Sequence, residues 1–473
     1  MVMGNGLGLG AYLEARSPWL RRDDPAQERA DRARFAVDYA IACDRLSQQR
    51  PRLCLAEPDP VRFLAQCCAA IATQTPVFLC DPRWQAQEWQ QVQATVQPDL
   101  MWGLPETQQQ SQEMKPLADG EQDDHEAAIA QINGQGIIGI PTGGSSGRVK
   151  FAIHTWNTLT AAVTGFYDYF DRRPVQSYCV LPLYHVSGLM QALRAILTGG
   201  QVGIGDYRRL KQGQFPTHLD SETFLSLVPT QLQQILTWDD APQWLRQFRA
   251  IFIGGAPANP ALLDRAAALG LPLAPTYGMT ETAAQIATLK PADFLAGNRT
   301  SGPVLPHAQI ESLPDRRLQI RAASLCWGYY PNLWRDRTFT ADDLGQFDPQ
   351  GHLTLIGRQQ RQIITGGENV APEEIEAAIL ATGQVADVCV VGLPDPVWGE
   401  AIAALHAPIL SETQLHSLQT HLRRTLAPHK LPKQWHGFAQ LPRNAQGKLD
   451  YGQMRAIAQL PTVSDYNQEQ TVL

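Results

Sequence analysis

A chain of 473 residues exceeds what one hydrophobic core usually fills, so two or three domains of roughly 100–200 residues are expected. With 44% hydrophobic and 18% charged residues, 37 Gly and 34 Pro, the composition excludes a disordered or fibrous chain and implies a globular one with many turns. A formal net charge of -7 supplies no general attraction to nucleic acid or anionic membrane, so any phosphate it binds is small and held locally.

The opening stretch MVMGNGLGLGAYLEARSPWLRRDD has no apolar core long enough for a signal peptide, and Val2 excludes N-terminal myristoylation. No run approaches the ~18 apolar residues that span a membrane. The eight cysteines (Cys43, Cys54, Cys67, Cys68, Cys80, Cys179, Cys326 and Cys389) form no C-x-x-C pair. Neither a zinc site nor a disulfide framework is indicated, and reduced thiols in a cytoplasmic protein are expected.

Alternating helix and strand signals begin with an apolar helical pattern over 61–72 and a short strand over 76–80. The Gln-rich stretch 85–113 reads as a mobile connection. Strand-like runs follow at 137–140 (IIGI), 177–183 (SYCVLPL), 224–230 (FLSLVPT), 250–255 (AIFIGG) and 271–278 (LPLAPTYG), with helical segments such as LMQALRAIL and PALLDRAAALG between them. This alternation predicts an α/β architecture of parallel sheets layered with helices. Past about residue 310, RLQIRA (317–322) and HLTLIG (352–357), joined by turns such as DPQG, signal a small barrel-like part. From 359 onward come a strand (QIIT), a helix opened by Pro372 with Glu373 and Glu374 in its first turn, the strand VADVCVVG, and a helix over 415–426. The predicted division is a large domain, 1–358, and a small α+β domain, 359–473, of normal domain size.

The segment IPTGGSSGRVKFAIHT (140–155) lies between apolar runs. Gly143, Ser145 and Gly147 make G-x-S-x-G, the nucleophile-elbow pattern of a serine hydrolase. A Walker A loop is excluded, because Arg148 and Val149 separate Gly147 from Lys150. The other chemical reading is a phosphate cradle, with donors from Thr142, Gly143, Gly144, Ser145, Ser146 and Gly147 and the cation Lys150 beside them. Taken alone, the segment permits both, and a solvated turn as well.

Four further segments follow: TYGMTETAAQIATL (276–289), DDLGQFDPQGHLTLIGR (342–358), ITGGENVAPEEIEAAIL (364–380) and RNAQGKLD (443–450). In order and spacing the five resemble the adenylate-forming superfamily of acyl- and aryl-CoA ligases, nonribosomal adenylation domains and luciferases, from about residue 61 to about residue 451. The resemblance implies that ATP and Mg²⁺ convert a carboxylic acid to an acyl adenylate, whose acyl group passes to coenzyme A. The chemistry needs this detour: direct thiol attack on a carboxylate would expel oxide, whereas AMP is a competent leaving group.

By the same resemblance Lys448 is the catalytic lysine, bridging carboxylate and α-phosphate where negative charge gathers, and Glu281 holds Mg²⁺ through a hard oxygen ligand. The nucleotide would lie among Gly254, Gly255, Ala256, Thr276, Tyr277, Gly278 and Thr280, with the Tyr277 ring against adenine. Asp343 would accept both ribose hydroxyls, and Arg358 would reach ribose or phosphate. Gln360 is the implied hinge of a mobile small domain, and Gly366, Gly367, Glu368 and Asn369 the implied coenzyme A channel. Relatives usually carry Ser at 143, Pro at 149 and Asp or Lys at 360, so Gly143, Val149 and Gln360 depart from the pattern.

LPLYHVSGL (181–189) resembles the motif whose histidine, here His185, borders and gates the acyl pocket. Together with PTGGSSG and SLVPTQLQQIL (226–236), it looks most like the o-succinylbenzoate-CoA ligases of menaquinone and phylloquinone biosynthesis. That acid has a second carboxylate, for which Arg194, Thr230, Gln231 and Gln234 are candidate donors, and Ser187 is a further candidate residue of the acyl site. Arg194 reads equally as a surface residue of its helix. Another aryl- or acyl-CoA ligase, a serine hydrolase using Ser145, and a silent nucleotide-binding relative are the alternatives.

Overall fold

Asp59 and Pro60 start the helix Pro60–Ala72: proline lacks an N–H that would go unpaired at this position anyway, and the Asp59 carboxylate accepts from the N–H groups of Val61 and Arg62. Val61, Phe63, Leu64, Cys67 and Cys68 of this helix are buried. The structure is a computed structural model. It describes residues 13, 19–21, 25–47, 51–104, 132, 136–143, 149–216, 219–256, 258, 260–365, 368–443 and 449–459.

After the two-residue strand β1 (Leu20–Arg21), the first sheet is built from β2 (Leu53–Leu55), β3 (Val77–Leu79), β4 (Leu100–Trp102), β5 (Ile138–Gly143) and β6 (Val149–His154), in the order β4-β2-β3-β5-β6. A second sheet joins β1 to β7 (Gln176–Cys179), β8 (Gln201–Ile204), β9 (Thr223–Leu227), β10 (Ala250–Ile253), β11 (Leu273–Met279) and β12 (Ala284–Thr288), in the order β1-β8-β7-β9-β10-β11-β12. Only the edge pairs β5–β6 and β11–β12 are antiparallel in these two sheets. A third sheet is the antiparallel run β13 (Ala308–Ser312), β14 (Arg317–Ala322), β15 (Phe339–Phe347) and β16 (Leu353–Arg358). The last sheet contains β17 (Ile363–Thr365), β18 (Glu368–Val370), β19 (Asp387–Asp395), β20 (Gly399–Ala407) and β21 (Gln434–Gly437), ordered β18-β17-β20-β19 with β21 on β20.

One core joins the first two sheets. Leu53, Leu79 and Ile138 of the first and Cys179 and Val202 of the second share it with Leu159 and Val163 of the helix Trp156–Tyr169 and Leu189, Leu193 and Ile196 of the helix Val186–Thr198. The latter helix is buried on nearly every side, including Gln191, Arg194 and Thr198 of the polar stripe that runs at helical spacing from Ser187. Each fully buried Leu or Ile contributes roughly 1.5–3 kcal/mol, which holds the two sheets in one layered body. The large α/β domain and the smaller domain after it are as predicted. In the smaller one, the helices Pro372–Ala381 and Glu412–Thr425 cover one sheet face and Tyr451–Ala458 the other.

Several elements depart from the sequence reading. The Gln-rich stretch contains the helix Ala86–Val96 and the strand β4, because Trp89, Val92 and Val96 make an apolar face among its glutamines; 105–113 lie outside the described residues. The FLSLVPT strand stops at Leu227, and Pro229 opens the helix Pro229–Ile235. SYCVLPL is strand only to Cys179. The helix Pro25–Ser47, rich in Arg and Asp, gave too weak an apolar stripe to be foreseen.

Candidate functional site

Four neighbouring parallel strands end in segments singled out from the sequence. His185 follows β7, Thr230 follows β9, Gly254, Gly255 and Ala256 follow β10, and Thr280 and Glu281 follow β11. Ligands of open parallel sheets bind at the carboxyl ends of the strands, so the topology collects these residues on one rim. Two glycines there have steric reasons. A Cβ at Gly254 would come 2.8 Å from the Thr276 methyl and one at Gly278 2.0 Å from the Ala284 carbonyl, while Gly255 has φ +78.

Thr142 pairs with Lys150 and Gly143 with Val149 across the antiparallel strands β5 and β6. A nucleophile elbow is a strand-to-helix turn, so this hairpin overturns the hydrolase reading of Ser145. Gly144, Ser145, Ser146 and Gly147 themselves lie outside the described residues. Exposed Lys150 has its Nζ 5.4 Å from the centre of the Tyr329 ring, and the Tyr329 hydroxyl donates to Glu281 Oε1 at 2.6 Å. The result is a row of cation, aromatic ring and carboxylate, in which Glu281 is only 6% exposed. Tyr329 was not foreseen; it lies in the run WGYYP, and no spacing in the sequence ties it to Glu281.

His154 was also missed. Its Nε2 bonds the Thr280 carbonyl at 2.8 Å and its Nδ1 the Thr158 hydroxyl at 3.0 Å, which fixes the turn that carries Glu281. Burial lowers its pKa from 6.5 to about 4. In the unfolded chain it takes a proton near 6.5 and in the folded chain only near 4, so its contribution is full above about 6.5 and is lost as pH falls toward 4. Thermal melts across that window should show declining stability, with a shallower slope in His154→Gln; equal slopes would contradict this role.

Asp343 and Arg358 face each other in the β15–β16 register. Arg358 Nε donates to Asp343 Oδ1 at 2.7 Å, and the Tyr277 hydroxyl donates to Oδ2 at 3.0 Å. Both carboxylate oxygens are thereby oriented, and burial, with Asp343 next in importance, pushes the Tyr277 phenol well above its ordinary range. The Tyr277 ring is 5% exposed, so its hydroxyl rather than an open face makes the contact seen. The Thr276 hydroxyl donates to the Ala287 carbonyl at 2.9 Å.

On the acyl side, His185 precedes the helix Val186–Thr198 with its ring 4.7 Å from that of Tyr184. Arg83, held by Asp81, donates to the Tyr184 hydroxyl at 2.6 Å. Arg194 is not a surface residue: it is 4% exposed, its guanidinium is 4.0 Å from the centre of the Phe166 ring, and its Nε has no hydrogen-bond partner among the described residues. Burial lowers its pKa, but an arginine starts so high that it stays charged near neutrality. A buried cation lacking a full set of partners is costly. Gln231 and Gln234 have local partners instead, Oε1 of the first accepting from the Val228 N–H and that of the second from the Tyr207 hydroxyl. Ser187 is exposed and Thr230 half-buried.

In the small domain, Gln360 lies in the turn Gln359–Arg361, and Glu368 and Asn369 in β18. Gly366, Gly367 and Lys448 lie outside the described residues, and Arg443 and Leu449 form a β-bridge flanking 444–448.

A sequence profile of the AMP-binding enzyme family matches residues 49–320, and one of the AMP-binding enzyme C-terminal domain matches 374–448. The 2-succinylbenzoate–CoA ligase of Listeria monocytogenes serovar 1/2a is 30% identical over 330 residues, 66% of this chain and 68% of that protein. The enzyme of the same name from Oceanobacillus iheyensis is 30% identical over 330 residues, 65% and 67% of the two chains. Among solved structures, o-succinylbenzoate CoA synthetase from Bacillus subtilis, in complex with its acyl-adenylate intermediate OSB-AMP, has a TM-score of 0.73 at 20% identity, covering 89% of this chain and 92% of that one. ATP-bound MatB from Rhodopseudomonas palustris has a TM-score of 0.72 at 22% identity, over 90% and 93%. Likeness at these identities shows the shared fold.

Proposed function

Because the chain belongs to the AMP-binding enzyme family, we propose that it is an AMP-forming acid–thiol ligase that adenylates o-succinylbenzoate and transfers the acyl group to coenzyme A. The observation that carries the reading is the convergence of four strand ends bearing His185, Thr230, the Gly254–Gly255 turn and Glu281 on one rim. The names of the relatives support the choice of acid, and with it a place in menaquinone or phylloquinone biosynthesis. The cysteines in the described structure are free, which fits a cytoplasmic enzyme.

The loop from Thr142 to Lys150 holds the β- and γ-phosphates with its N–H, hydroxyl and ammonium donors while the substrate carboxylate attacks the α-phosphorus and pyrophosphate leaves. Asp343 takes the ribose hydroxyls, and Arg358 stands beside it. Tyr329 engages only Oε1 of Glu281, which leaves Oε2 as a carboxylate oxygen that would suit a hard cation such as Mg²⁺. Among the described residues no cluster of three or more His, Cys, Asp or Glu offers a different metal site. When bound, the ion neutralises phosphate charge. Lys448 stabilises the charge on the α-phosphate, and Gln360 is the pivot on which the domain 359–473 turns against 1–358. The loop Gly366, Gly367, Glu368 and Asn369 then admits the thiol, which displaces AMP from the acyl carbon.

Arg194 recognises the second carboxylate of the acid. A hydrogen bond to a charged group is worth about 1.5–3 kcal/mol, so Arg194→Met should raise the KM for o-succinylbenzoate about 10- to 100-fold and leave benzoate unaffected. The measurement is acid-dependent ATP–pyrophosphate exchange with each acid. Equal losses for both would remove Arg194 from recognition, and a strong preference of the native protein for an acid with one carboxylate would replace o-succinylbenzoate as the substrate.

A further inference from the structure

Two arginines bracket the link between the domains. Arg358 ends β16 and is tied to Asp343 of the large domain at 2.7 Å. Arg361, three residues later, is tied wholly to the small one: Nη1 donates to Glu373 Oε1 at 2.7 Å and Nη2 to Glu376 Oε1 at 2.5 Å. Nη2 also donates to the Val390 carbonyl at 3.3 Å, and the guanidinium lies 4.0 Å from the centre of the Tyr451 ring. The three charged side chains are 10%, 13% and 14% exposed. A single planar fork thus gathers the helix Pro372–Ala381, β19 and the helix Tyr451–Ala458, a geometry that the point charge of lysine cannot reproduce.

We propose that Arg361 is the positioning residue that clamps the pivot to the small domain, confining the swivel to Gln359 and Gln360. The two faces of Glu373 support this. Oε1 is held by Arg361, whereas Oε2 has no hydrogen-bond partner and lies so close to Gly357 of β16 that a Cβ there would be 2.6 Å away. The contact with β16 has no bond to break when the domains turn; the contact with Arg361 has two charges and stays. Tyr451 opens its helix three residues after Lys448. The clamp therefore ties to the pivot the helix Tyr451–Ala458, which follows Lys448 in the chain.

The inference rests on the two-step ligase reading, and two measurements separate them. The two half-reactions, acid-dependent pyrophosphate exchange and thioester formation from preformed adenylate, are timed in the full-length protein for Arg361→Ala and Arg361→Lys. Arg361→Ala is expected to lower kcat about tenfold or more in both, with the KM for ATP within about threefold of native, since the proposed ground-state ATP contacts other than Lys448 belong to the large domain. Arg361→Lys should recover part of the rate. A folded Arg361→Ala with both rates within about twofold of native would overturn the proposal, and so would a fully native Arg361→Lys if the alanine variant does not fold. Hydrogen exchange over 359–365, which needs no activity, should quicken in the variants; unchanged exchange would overturn the clamp even if the native protein activates no acid. Absence of exchange activity in the native protein would overturn the ligase reading alone.

Discussion

Lys448→Ala should abolish acid-dependent ATP–pyrophosphate exchange, by about 10²–10³-fold or more, while still making thioester from preformed acyl adenylate and coenzyme A at a substantial rate. The asymmetry follows from where charge develops. In the first half-reaction negative charge gathers on the α-phosphate, and a positioned ammonium stabilises that transition state more than the ground state. In the second the phosphate already belongs to the leaving AMP, and on the proposed rotation the small domain would have turned its other face inward. Gly367→Leu, which would narrow the proposed path for the thiol arm, should show the reverse pattern: exchange kept, thioester lost. Stopped time courses of each half-reaction provide the measurement, and equal loss of both in folded variants would rule out the rotating small domain.

Glu281→Gln should be nearly as damaging, lowering exchange by about 10²–10³-fold and moving its Mg²⁺ dependence to much higher concentration. The amide is nearly isosteric and can still accept the Tyr329 hydroxyl, now 2.6 Å from Oε1, so loss of packing does not account for the effect. What is removed is the anionic oxygen that a hard cation requires. Tyr329→Phe removes the restraint on that carboxylate and keeps its charge, and should cost only about tenfold. Titrating exchange activity with Mg²⁺ in the three proteins decides the matter; a Mg²⁺ response in Glu281→Gln identical to the native one would take Glu281 out of metal binding.

Residues that sit at strand ends were legible in the sequence because short motifs mark them: Gly254–Gly255, Thr280–Glu281 and His185 each follow a strand the apolar runs had already located. Some proline-started helices were legible too, at Pro260 and Pro372, whereas Pro229 opens a helix inside a run that reads as strand. Helices with weak apolar stripes were not, as Pro25–Ser47 and Ala86–Val96 show. The supporting partners were hidden for another reason. His154 reaches Thr280 across 126 residues and Tyr329 reaches Glu281 across 48, distances at which only tertiary packing decides who meets whom. Arg194 was ambiguous in the sequence because an arginine on a helix usually snorkels to water, and only its enclosure against Phe166 separates the two readings.

The most direct test gives the native protein o-succinylbenzoate, ATP, Mg²⁺ and coenzyme A and resolves the products by chromatography. AMP, pyrophosphate and o-succinylbenzoyl-CoA are expected in equal amounts, with AMP formation dependent on the acid. ADP and phosphate as the nucleotide products, or no acid-dependent AMP with this or any other carboxylic acid, would contradict the proposed reaction.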